Sequence, residues 1–120
     1  MSRVSLVFAV FGLLLCVGCE KAKPKVWEIV AENQTAAPID VSVKLGGSPI
    51  FTEAKVEKLE PGKQHVLLSA APRIIVETAS YVKNKQDIVL PSNTEVPIGK
   101  RFLIVVDAEG KITGTLVDMK

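Results

Sequence analysis

From Val26 onward, apolar and polar residues alternate with a period of two. Ile39, Val41, Val43 and Leu45 interleave with Asp40, Ser42 and Lys44, and Trp27, Ile29 and Ala31 interleave with Glu28 and Val30. Successive side chains of a strand point to opposite faces, so this spacing predicts half-buried strands and not helices, whose faces repeat every 3.6 residues. Further strand-like runs are FTEAKVEKL, KQHVLLS, RIIVETAS, QDIVL, RFLIVV and KITGTLV. Turn chemistry separates them: NQTAAP, GGSP, EPGK, AAP, KNK, PSN and DAEG. Gly, Pro, Asn and Asp supply the φ angles and local hydrogen bonds that reverse a chain. No segment of this region carries a sustained helical stripe. Short strands with turn signals roughly every eight to twelve residues predict an all-β fold, an antiparallel sandwich of about seven or eight strands over residues 26–120.

The first residues follow another pattern. Met1-Ser2-Arg3 carries one positive charge, and VSLVFAVFGLLLCV follows as a nearly unbroken apolar run. A spanning helix needs about 20 apolar residues, so this run is too short to cross a bilayer and has the length of a secretory signal's apolar region. Gly18, Cys19 and the polar EKAKPK come next.

Val17, Gly18 and Cys19 resemble the lipobox of a bacterial lipoprotein signal, although Cys16 stands where Leu is commonest. The resemblance implies that the Cys19 thiol receives a diacylglyceryl group and that the chain is cut between Gly18 and Cys19. Residues 1–18 are then signal peptide, residues 19–25 an acylated cysteine with a short tether, and residues 26–120 the folded domain. The expected location is the bacterial cell envelope, with the membrane as a partner through the lipid. Residue Glu20 follows the acylated position, where sorting rules differ between bacteria, so inner and outer membrane both stay open. Fully extended, EKAKPK spans roughly 20 Å.

Cys16-Val17-Gly18-Cys19 also has the form of a redox or metal C-x-x-C. A redox pair opens a helix after a strand, whereas this one ends an apolar run. A zinc site needs further ligands, and the chain has no other Cys and one His, His65. Without a second thiol in the mature chain there is no disulfide, and the domain rests on its core.

Two segments bear on the fold family. LEPGKQHVLL resembles the strand–turn–strand of fibronectin type III and other immunoglobulin-like domains, and VAENQTAAPIDVSVKLGG resembles the first hairpin of small envelope sandwiches. Both imply an immunoglobulin-like β-sandwich. In contrast, EVPIGKRFLIVVDAEGKITGTLV resembles the closing hairpin of periplasmic thioredoxin-like proteins, which would make Pro97 a cis proline. That fold also needs helices and a C-x-x-C after a strand. DAEG reads equally as a hairpin turn with Gly110 at φ > 0.

Composition narrows the function classes. The net charge of +2 lacks the clustered basic face of a nucleic-acid binder. Past residue 18 the aromatics are Trp27, Phe51, Tyr81 and Phe102, too few for a sugar or base platform. Candidate acid–base pairs are Glu53 with Glu57 and Asp107 with Glu109. Asp107 and Glu109 beside Gly110 hint at a calcium loop, but such a loop needs more oxygen ligands. His65 with Met119 could hold copper only if folding unites them. Asn33-Gln34-Thr35 forms a sequon without meaning in a bacterial host. No catalytic set and no cofactor are expected. The resulting expectation is a non-enzymatic interaction or accessory module with another envelope protein as partner. A periplasmic redox or metal-handling factor is the alternative, and a small hydrolase the third; the oligomeric state stays open.

Overall fold

A computed structural model describes residues 25–119. Residues 1–18, expected as a signal peptide, and Cys19 with most of the expected tether lie outside these residues. Eight strands follow one another: β1 (Trp27–Asn33), β2 (Ile39–Gly46), β3 (Glu53–Leu59), β4 (Gln64–Ala70), β5 (Ile75–Lys83), β6 (Gln86–Glu95), β7 (Lys100–Val106) and β8 (Ile112–Asp118). They form two four-stranded sheets, ordered β4-β1-β7-β8 and β3-β2-β5-β6. No helix occurs among the described residues. The fold is the all-β sandwich that the alternation predicts. A thioredoxin-like fold is not what the chain adopts, because residues 25–119 offer none of its helices and Pro97 is trans.

The inner faces carry the predicted apolar sets. Trp27, Ile29 and Ala31 of β1 meet Ile39, Val41, Val43 and Leu45 of β2 in one core with Val76, Ala79, Tyr81, Phe102, Ile104 and Val106. Each Val, Leu, Ile or Phe among them contributes roughly 1.5–3 kcal/mol by leaving water. Val30 corrects the simple two-face picture. It is buried although it points to the outer face, beside its register partners Val66 and Leu103. As a central strand, β1 has neighbours on both sides that cover its outer positions.

Two further details differ from expectation. β1 and β7 pair in parallel, with Ile29 opposite Phe102 and Ala31 opposite Ile104. Alternation reports which face a residue occupies and says nothing of its neighbour's direction. Pro91-Ser92-Asn93, expected as a turn, instead continues β6 to Glu95. β6 is an edge strand, so Pro91 breaks no ladder bond on its outer side. Between Val76 and Thr78 the register shifts by one residue, and Asn93 takes φ 49°. The turn-like residues thus form a bulge that bends the edge. A second bulge lies on β3, where Lys58 takes φ 56° and its N–H donates to Asp40 Oδ1 at 2.8 Å.

The registers sort the connections into two poles. β1 and β7 run in the same direction, away from Val26. Loops 47–52, 71–74 and 96–99 therefore sit at the pole where the chain enters β1, and we call it the near pole. Loops 34–38, 60–63, 84–85 and 107–111 gather at the far pole.

Candidate functional site

At the far pole three loops enclose an open cleft of about 370 Å³. Thr35, Ala36, Ala37 and Pro38 form one wall, Tyr81 to Asn84 a second, and Ala108, Glu109 and Gly110 a third. The interior is mainly small and apolar, with Lys83 and Glu109 supplying opposite charges.

Asn33 fixes the first wall. Its side chain is wholly buried and its amide is fully used. Nδ2 donates to the Ala37 and Leu59 carbonyls, each at 2.8 Å. Oδ1 accepts from the Thr35 N–H at 2.8 Å, and the Thr35 hydroxyl lies 2.6 Å away. The Asn33 backbone also joins the neighbouring turn, donating to Lys63 O at 3.0 Å and accepting from Gly62 N at 2.6 Å. A buried amide with every partner in place specifies one loop conformation. Its sequon could carry no glycan while this side chain stays buried.

The third wall is a closed hairpin. Asp107 Oδ1 accepts from Glu109 N at 3.0 Å and from Lys111 N at 2.9 Å. Gly110 takes φ 85° as expected, and a Cβ there would meet the Tyr81 hydroxyl at 3.0 Å and Lys83 Nζ at 3.1 Å. Tyr81, buried in the core, reaches up to donate its O–H to the Gly110 carbonyl. One aromatic ring therefore ties the cleft to the sandwich interior. Loops fixed in this way would add little ordering cost to any binding at the cleft.

The other candidates separate. Glu53 and Glu57 are exposed on β3 and four residues apart, roughly 13 Å along a strand, too far to act on one bond. The Asp107 carboxylate is engaged by turn N–H groups, so it caps the hairpin. His65 lies on edge strand β4, and Met119 follows β8 at the opposite edge of that sheet. The copper pairing is thereby overturned. No group of three or more His, Cys, Asp or Glu among the described residues is placed to hold a metal ion. No helix among them is long and apolar enough to cross a membrane.

Sequence reasoning did not single out Tyr81 or Lys83, and it read Asn33 only as a sequon. Nothing local marks them, since their roles come from loops distant in sequence meeting at one pole. Fold and cleft together define an all-β sandwich with a braced loop-end recess. No family model, curated protein or solved structure matches the chain.

Proposed function

We propose that the protein is a membrane-anchored envelope lipoprotein, held by an acylated Cys19. Its immunoglobulin-like sandwich is a non-enzymatic interaction module that receives a segment of a second envelope protein at the far-pole cleft. The anchor rests on the lipobox-like Val17-Gly18-Cys19 after an apolar run.

The observation that carries the reading is the placement of the cleft at the pole opposite Val26. A seven-residue strand lifts it roughly 23 Å away from the tether. A lipid at the near pole leaves this recess facing outward, where a partner's loop can reach it. Ala36, Ala37, Pro38 and Val82 offer an apolar seat, and Lys83 and Glu109 set the orientation of a polar segment.

A photoreactive amino acid placed at Asn84 or at Ala108 tests this in cells of origin. Both positions should crosslink to one and the same envelope protein, and Ala37→Arg, which fills the recess, should abolish both adducts. Absence of a common adduct, or adducts indifferent to Ala37→Arg, contradicts the proposal.

A further inference from the structure

The two poles differ sharply in chemistry. Loops 47–52, 71–74 and 96–99 of the near pole read GSPIFT, APRI and VPIG, with Arg73 their single charge. Of the far-pole loops, 34–38 (QTAAP) is uncharged, whereas 60–63, 84–85 and 107–111 carry Glu60, Lys63, Lys85, Asp107, Glu109 and Lys111. Large exposed apolar side chains follow the same division. Ile50 is 70% exposed and Ile98 is 53% exposed, both on near-pole loops, whereas Val66, Val82, Val89 and Leu116 lie on strands. At the far pole the large exposed apolar side chain is Val82, near the end of β5 in the cleft wall.

These tips are held out by structure. Ser48 Oγ accepts from Ile50 N at 3.1 Å and from Phe51 N at 3.3 Å, which closes a tight turn with Ile50 at its crest. Phe51 packs edge-on against Trp27, with centroids 6.5 Å apart. Trp27 Nε1 donates to Pro72 O at 2.6 Å, and Gly99 N donates to Val26 O at 3.0 Å. All three near-pole loops are thus fastened to Val26 and Trp27, the first residues after the tether. Acidic groups follow the tips at the strand ends, where Glu95 pairs with Arg73 and Asp118 with Lys100, and where Glu53 is exposed at the start of β3.

We infer that the near pole is a lipid-contacting face, with Ile50 and Ile98 entering the headgroup–acyl boundary of the bilayer that holds the anchor. This inference rests on the lipoprotein reading above. A tether of roughly 20 Å keeps the domain within reach of the surface, and this pole is the one it holds closest. Exposed isoleucines on uncharged loops lose water contact at that boundary, as the apolar face of an interfacial helix does. Lys25, where the tether enters, is a basic group suited to an anionic surface, while the charge of Arg73 is offset by Glu95. Contact fixes the domain upright and leaves the far-pole cleft pointing away from the membrane.

The test uses the full acylated protein, extracted from membranes and reconstituted into phosphatidylcholine–phosphatidylglycerol vesicles. Single cysteines at Ile50→Cys, Ile98→Cys and, as far-pole control, Asn84→Cys carry an environment-sensitive nitrobenzoxadiazole dye. Flotation with the vesicles first establishes the anchor. Dye emission at positions 50 and 98 should shift to the blue and be quenched by nitroxide-bearing lipids, while position 84 stays solvent-like. Protein that floats with solvent-like emission at both isoleucine positions overturns the inference and leaves the anchor standing. A blue shift at 50 and 98 that appears only on adding a soluble envelope extract also overturns it, because the face then meets protein. Protein that does not float and has a free Cys19 thiol overturns the lipoprotein reading and this inference with it.

Discussion

Replacing Asn33 tests the claim that one buried amide braces the far pole. Asn33→Ala removes both donors and the Oδ1 acceptor at a site with no solvent exposure. The Leu59 carbonyl loses a buried bond, which costs about 1–3 kcal/mol. Bonds to Ala37 and Thr35 are only partly buried, and water replaces part of their loss at about 0.5–1.5 kcal/mol each. The sum is about 4 kcal/mol, within a range of about 2–6 kcal/mol, or a fall of roughly 16–32 °C in Tm for a domain of this size. Asn33→Asp makes the reasoning sharper. It keeps the shape but turns a carboxylate oxygen towards the Ala37 and Leu59 carbonyl oxygens. Burial and those oxygens raise that carboxyl above its unfolded value of about 3.9. The folded variant then takes up its proton first, so its stability recovers as pH falls from neutrality towards the unfolded value. Urea unfolding of residues 26–120 at several pH values reads both effects. Asn33→Ala within about 0.5 kcal/mol of the parent, or Asn33→Asp that fails to gain on Asn33→Ala towards acid pH, refutes the bracing role.

Trp27, 1% exposed, should emit to the blue in the folded chain and move red on unfolding, and Trp27→Ala should cost roughly 3–5 kcal/mol; solvent-like native emission speaks against that burial. Gly114→Ala places a Cβ 2.5 Å from Phe102 Cζ and 3.3 Å from Leu90 Cδ2, so it should destabilise by about 1–3 kcal/mol, and an unchanged unfolding midpoint would show that the β8 packing is wrong. Hydrogen bonds from Gln34 and Gln64 hold the Glu32 carboxyl below its ordinary value, and Lys100 does the same for Asp118. Depressed carboxyls stabilise fully above the ordinary range of about 4 and lose that contribution as pH falls through their folded values. Glu32→Gln with Asp118→Asn should therefore make acid unfolding shallower, and an identical acid limb in the double variant counts against these contacts.

The legible part of the fold was the part written as alternation. β2 reads Ile39-Asp40-Val41-Ser42-Val43-Lys44-Leu45 and is buried at every second residue. Turns whose chemistry is local, such as Asp107 to Gly110, were legible for the same reason. Pro91-Ser92-Asn93 misled because a bulge uses turn residues too, and only its edge position distinguishes the two. The parallel β1–β7 pairing was not legible, since strand direction depends on connections and not on side-chain period. The far-pole cleft was invisible for a related reason. Ala37, Tyr81, Lys83 and Gly110 are unremarkable residues apart, and register alone brings them together. The near-pole isoleucines were visible as letters, but their meaning required knowing that 47–52 and 96–99 share an end with Val26.

The central claim is an anchored sandwich, so the anchor is the most direct thing to measure. Mass spectrometry of the N-terminal peptide from membrane-extracted wild-type protein decides it. The account predicts a chain beginning at Cys19 with the mass of a diacylglyceryl group on its sulfur. It also predicts that Cys19→Ser leaves an uncut, unlipidated precursor, while Cys16→Leu is processed at least as well as wild type. A mature peptide that still contains Cys16, or a Cys19 without lipid, contradicts the account.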